Sequence, residues 1–205
     1  MNKNHHFLFV NYINFQKGGG MKQVIAAIII AFLLVCNCYA VDGNINVTLG
    51  MNFMDNDDWK PLDEQKEIGV NIDLCGNAPI ALTLGYCRSS DGENIDGLDI
   101  DTSASEIRVG IKKIWEVDDN VNLFLGGGYT HIAVDADISN GEQYLSVNDD
   151  DSAHGGWIGC GAYMTINETV NLGVQVEYSR ADVELFGVGA DAGGTHVALI
   201  VGYHF

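Results

Sequence analysis

The sequence predicts an all-β fold, an eight-stranded antiparallel up-and-down transmembrane β-barrel. Three observations carry this expectation. Apolar residues recur at every second position in eight separate runs, no amphipathic helical segment interrupts those runs, and the connections between them alternate between short and long.

The first run sets Ile45, Val47, Leu49, Met51 and Phe53 on one face and Asn44, Asn46, Thr48, Gly50 and Asn52 on the other. The second opposes Ile68, Val70, Ile72 and Leu74 to Glu67, Gly69, Asn71 and Asp73. The third opposes Ile80, Leu82, Leu84 and Tyr86 to Ala81, Thr83, Gly85 and Cys87. In the fourth, Ile107, Val109 and Ile111 face away from Glu106, Arg108, Gly110 and Lys112, with Trp115 near the end. The fifth has Val121, Leu123, Leu125 and Tyr129 against Asn122, Gly126, Gly128 and Thr130. The sixth is less clean, with Ile158, Cys160, Ala162 and Met164 against Trp157, Gly159, Gly161 and Tyr163. The seventh has Val170, Leu172, Val174, Val176 and Tyr178 against Asn171, Gly173, Gln175 and Glu177. The eighth has Val197, Leu199, Val201, Tyr203 and Phe205 against His196, Ala198, Gly202 and His204.

Strands of about 9–11 residues, tilted, cross a bilayer, and these runs have that length. The connections at 76–79, 116–120 and 167–169 read as tight turns, and those at 54–65, 88–104, 133–154 and 180–194 as long loops. Short turns on one side and long loops on the other is the pattern of outer-membrane barrels. A soluble lipocalin-like barrel would alternate equally well, but with its apolar face inside. The non-apolar face here is rich in glycine and small residues, which suits a cramped interior, and carries only isolated charges. Aromatic residues Tyr86, Trp115, Tyr129, Tyr178, Tyr203 and Phe205 fall toward strand ends on the apolar face, where interface girdles lie.

An eight-stranded barrel has an interior just wide enough for side chains to fill. The inward polar set is Glu67, Asp73, Glu106, Arg108, Lys112, Gln175 and Glu177. Charges inside a membrane barrel need partners. Arg108 is therefore expected to reach Glu177 or Glu67, and Lys112 to reach Asp73. Phe124, Trp157 and Tyr163 are expected to fill the space that glycines leave.

The chain divides into three parts. From Met21, Lys22 precedes a 12-residue apolar run, Val24 to Val35, and Cys38-Tyr39-Ala40 offers a cleavage site, so 21–40 reads as a signal peptide. Residues 1–20 read as an upstream extension, since Lys17-Gly18-Gly19-Gly20 is what a ribosome-binding region gives when translated. The barrel is then 41–205, ending at its eighth strand with no further domain expected. Residues 1–40 hold Lys3, Lys17 and Lys22 and no acid, so 41–205 has seven basic residues against 28 acidic ones, a net charge of −21. That balance argues against nucleic acid as a partner, since phosphate contacts need Lys and Arg. Three cysteines remain in 41–205, Cys75, Cys87 and Cys160, an odd number. With a tight turn at 77–78, Cys75 faces residue 80, and Cys87 lies roughly 23 Å further along at ~3.3 Å per residue. That exceeds the reach of a disulfide, so all three read as small packing residues, and no metal ligand set and no cofactor are expected.

The last strand, Val197 to Phe205, resembles the terminal signal of outer-membrane β-barrels: a final Phe, an aromatic two before it, and alternate apolar residues upstream. Gly126-Gly-Gly-Tyr-Thr130 and Asn171-Leu-Gly-Val-Gln-Val-Glu-Tyr178 also resemble the small barrels related to outer-membrane protein A and the opacity proteins. The resemblance implies a monomer in the bacterial outer membrane, in contact with its lipid and lipopolysaccharide. It also implies that Val201, Tyr203 and Phe205 are the signal read by the barrel-assembly machinery.

Some small barrels are enzymes, and none of their motifs fits, so no catalytic residue is expected. His131-Ile132-Ala133 and His154-Gly155-Gly156 lack the His-x-Ser-Asn stretch of lipid A deacylases. The chain is too short for an omptin-type protease. Asp151-Ser152-Ala153-His154 is the one local cluster available to a palmitoyl transferase, and it reads as a solvated loop tip. The four long connections hold 19 of the 28 acids, and Asp91 to Asp101 fails the calcium-loop spacing. Solvated, self-repelling loops are the simpler reading. Two functions remain open: a surface-interaction or envelope-structural protein working through acidic extracellular loops, and a channel for small solutes.

Overall fold

The computed structural model describes residues 42–55, 62–75, 80–95, 98–140, 145–185 and 187–205. The expected signal peptide and upstream extension, the turn at 76–79 and residues 56–61 of the connection at 54–65 lie outside the described residues.

The structure bears out the fold class. Eight strands close into an antiparallel ring in the order β1-β10-β7-β6-β5-β4-β3-β2. They are β1 (Asp42–Met54), β2 (Glu64–Cys75), β3 (Ile80–Ile95), β4 (Leu98–Asp118), β5 (Val121–Asn140), β6 (Leu145–Ile166), β7 (Val170–Arg180) and β10 (Gly194–His204). The short strands β8 (Asp182–Leu185) and β9 (Val188–Asp191) form a separate hairpin between β7 and β10. The seam is the β1–β10 pair, running from Asn44 opposite His204 to Met54 opposite Gly194. One tight turn shows how the short end is made. Asn167 and Glu168 both adopt left-handed backbone, with φ of 51° and 60°, and the Thr169 N–H donates to Ile166 O at 3.1 Å. Two successive left-handed residues match the twist of a two-residue hairpin.

Three connections differ from the expectation. Residues 88–104 and 133–154 are largely strand rather than loop, so β4, β5 and β6 run to 21, 20 and 22 residues. The connection at 180–194 holds the β8–β9 hairpin rather than a plain loop. Asp99, Asp101, Asp135 and Asp137 point outward from strands that project past the bilayer, whereas Asp149 and Asp151 share the face of buried Trp157.

The alternation keeps its phase there but reverses its polarity. In β5, Leu123, Leu125 and Tyr129 face outward and Thr130 is buried; beyond it, Ile132, Val134 and Ala136 are buried and Asp135 and Asp137 are exposed. Where hydrocarbon surrounds the barrel the apolar face points out, and where water surrounds it the apolar face points in. The reversal between Thr130 and Ile132 therefore marks the edge of the membrane band on this strand.

The inward residues above that edge form a small apolar core of Met54, Ala104, Ile132, Val134, Ala136, Ala181, Val183, Leu185 and Ala192. Because β1 and β5 stand on opposite sides of the ring, a core containing both Met54 and Ile132 spans the lumen. The β8–β9 hairpin supplies Val183 and Leu185 to it. Asp191 ties the hairpin base, accepting from the Ala181 and Gly193 N–H groups at 3.2 and 2.9 Å and pairing with Arg180 at 3.0 Å. Ile132 is 1% exposed, and Ile132→Ala is expected to cost about 2–5 kcal/mol through lost burial and a residual cavity. Urea unfolding of the refolded barrel measures it, and a change under about 1 kcal/mol would mean this end collapses around the gap.

Candidate functional site: the lumen

Alternation points one residue in two from every strand toward the axis, and these residues stack in tiers. At the turn end, Lys112 Nζ lies 2.9 Å from Asp73 Oδ1 and 4.7 Å from the centre of the Phe124 ring. Asn171 Nδ2 donates to Asn44 Oδ1 at 2.8 Å and Asn46 Oδ1 at 3.2 Å. Phe124 and Tyr163 pack against each other with centroids 6.3 Å apart. Glycines make room for these rings. A Cβ on Gly161 would sit 2.6 Å from the Phe124 ring, and one on Gly110 2.9 Å from the Trp157 ring.

In the middle tier Arg108 pairs with Glu177, which also accepts from Gln175 Nε2 at 3.1 Å. Of the two partners expected for Arg108, the structure brings up Glu177. Glu67 instead faces His196, with Nδ1 to Oε2 at 2.5 Å. Glu106 lies 3.9 Å from Arg108 Nε and accepts from the Thr130 hydroxyl at 2.6 Å.

The upper tier joins residues from β2, β3, β4, β7 and β10. His196 Nε2 lies 3.0 Å from Ser179 Oγ and 3.5 Å from Glu106 Oε2, and Cys87 Sγ lies 3.7 Å from Glu106 Oε2. Above them Gln65 donates to Thr102 Oγ1 at 3.1 Å and accepts from Ser89 Oγ at 2.6 Å. All seven inward residues read from the sequence are buried. Sequence reasoning passed over His196, Cys87, Gln65 and Ser179 as members of this network. Their inward parity was visible, but nothing in the chain said which of them meet.

The three cysteines are free. Cys75 lies opposite Ala81, not residue 80. Directly opposed residues share a face, and both Cys75 and Ala81 belong to the inward set. The Asp151-Ser152-Ala153-His154 cluster lies within β6 rather than at a loop tip. The pleat sends Asp151 to one face and Ser152 and His154 to the other. Asp151 accepts the Glu184 N–H at 2.7 Å, which holds its carboxyl below the usual range. His154 instead meets Tyr129 and His131 on the outer surface.

The outer surface carries the membrane band. Ile45, Val47, Leu49, Ile68, Leu82, Val109, Leu125, Ile158, Val174 and Leu199 are all exposed. Val201, Tyr203 and Phe205 also face outward. The Phe205 N–H donates to Gly43 O at 2.9 Å and the Gly43 N–H to Phe205 O at 2.8 Å, extending the seam.

Residues 28–205 match the outer membrane protein beta-barrel domain family. Among solved structures the chain is similar to Ail, the attachment invasion locus protein of Yersinia pestis, in complex with the heparin analogue sucrose octasulfate. The TM-score is 0.58 at 15% identity, covering 82% of this chain and 100% of Ail. Similar too are a major outer membrane protein from Thermus thermophilus (TM-score 0.56, 11% identity, 82% and 100% covered) and Neisserial surface protein A (TM-score 0.55, 10% identity, 82% and 98% covered). At these identities the likeness is one of fold. No curated protein matches the chain by sequence. Its closed eight-stranded ring, apolar belt and family match together identify the chain as a member of the outer membrane protein beta-barrel family, resident in the bacterial outer membrane.

Proposed function

We propose that this protein is a non-catalytic surface-interaction or envelope-structural protein. The barrel is its anchor, and the long hairpins, facing out of the cell, are its working part. The observation that carries this reading is the filled lumen. Buried side chains from non-adjacent strands meet at every tier, and the apolar core of Met54, Ile132 and Val183 lies across the long-hairpin end. Such packing favours an anchor over a channel for small solutes.

The hairpins set what can be bound. Asp91, Asp101, Asp135 and Asp137 line one outer cavity of about 510 Å³ together with Lys66 and Arg88. Acids outnumber bases there, so the hairpins attract cationic partners or divalent ions that bridge to lipopolysaccharide phosphates, and they repel polyanions. Biogenesis runs through the barrel-assembly machinery, with Val201, Tyr203 and Phe205 as the recognised strand.

Conductance tests the reading. The purified protein in planar bilayers is expected to pass no steady current. A stable single-channel conductance would replace the anchor reading with the channel.

A further inference from the structure

The upper tier of the lumen gathers three kinds of metal-ligating side chain that are far apart in sequence. Glu67 comes from β2, Cys87 from β3 and His196 from β10. Each offers a ligand atom, and these atoms lie within 4.8 Å of one another. Glu106 stands beside them, its Oε2 3.7 Å from Cys87 Sγ. All four side chains are buried. Glu67 Oε1 makes no hydrogen bond, although its side chain is only 1% exposed. A buried carboxylate oxygen without a donor is costly, and a cation would satisfy it.

We propose that Glu67, Cys87 and His196 form a lumenal site for a thiophilic divalent cation of the zinc class, captured as the barrel folds. Thiolate, imidazole and carboxylate together are the ligand set that tetrahedral zinc prefers, at about 2.3 Å to sulfur and about 2.0–2.2 Å to nitrogen and oxygen. Those lengths place neighbouring ligand atoms roughly 3.3–3.7 Å apart. Glu106 Oε2, 3.7 Å from Cys87 Sγ, faces His196 Nε2 rather than the ligating Nδ1, so the three side chains hold the ion and its fourth position stays open. His196 Nδ1 and Glu67 Oε2, now 2.5 Å apart across a proton, must open by roughly 1 Å.

The exchange balances. In the metal-free barrel His196 has an acceptor at each ring nitrogen, Glu67 on Nδ1 and Ser179 or Glu106 on Nε2, which suits the imidazolium. Binding displaces the Nδ1 proton and the Cys87 thiol proton and brings in one dication, so two protons leave and the net charge of the buried cluster is unchanged. Nε2–H stays on the ring and donates to Ser179, the outer hydrogen bond that orients a metal-bound histidine. The apolar core above the site blocks entry to the finished barrel, so the ion is taken up during folding, when its binding energy adds to folding energy.

Cobalt reports on such a site by colour. The full chain is unfolded in urea and refolded into detergent micelles with Co²⁺, and unbound ion is removed. Wild type is expected to retain one equivalent, with the visible bands of four-coordinate cobalt and a thiolate charge-transfer band. Cys87→Ser should lose the charge-transfer band, and a Cys75→Ser/Cys160→Ser variant, which keeps Cys87, should retain it. No bound cobalt in refolded wild type would overturn the proposal, as would a charge-transfer band persisting in Cys87→Ser. Should Cys87→Ser fail to fold, the Cys75→Ser/Cys160→Ser barrel decides. Refolding it with Zn²⁺ should raise its urea midpoint above that reached with Mg²⁺, and equal midpoints would overturn the proposal.

Discussion

Arg108→Ala is expected to destabilise the barrel by on the order of 3 kcal/mol. The guanidinium is buried against Glu177, with Glu106 3.9 Å from its Nε. Removing it strands two carboxylates in a closed lumen, and an uncompensated buried charge costs more than the lost pair contributes. The double variant Arg108→Ala/Glu177→Gln removes one stranded charge together with its partner, so it should recover part of the loss. Urea unfolding of the refolded protein reads both. Equal stability of wild type and Arg108→Ala would show that water reaches this tier, and with it the closed-lumen reading would fall.

Deleting Phe205 is expected to abolish the folded barrel in the outer membrane. Two effects combine. The terminal aromatic is the element proposed to be read during assembly, and the Phe205 backbone makes two hydrogen bonds with Gly43 that extend the seam. Phe205→Asp separates them, because it keeps the backbone bonds and puts a charge on the lipid-facing surface. Heat-modifiable protein in the outer-membrane fraction is the measure. If Phe205→Asp assembles normally while the deletion does not, the seam matters and the aromatic signal does not. Normal assembly of both would place the signal elsewhere.

The pairing of Lys112 with Asp73 could be read before any coordinates, and that of Arg108 narrowed to Glu177 or Glu67, because strand direction and residue count set the height of each inward charge in a barrel. The long hairpins were misread for a physical reason. Acids such as Asp135 and Asp137 lie on the outward face, and the inward alternation of Ile132, Val134 and Ala136 continues with its polarity reversed. A rule that equates acid-rich segments with loops misses strands that have left the bilayer.

By itself the sequence determined which side chains face inward, which face lipid, and that the strands must close. Those properties follow from a period of two and from the absence of water around a membrane barrel, which forbids open edges. Only the tertiary structure decided which inward residues meet. Cys87 and His196 carry no signal in their own strands, one a small residue and the other a lone histidine. Ring closure through the β1–β10 seam brings β10 round beside β1, leaving β1 and β2 between it and β3. Contacts across a lumen depend on strand order, register and tilt taken together, and none of these is written in the alternation of a single strand.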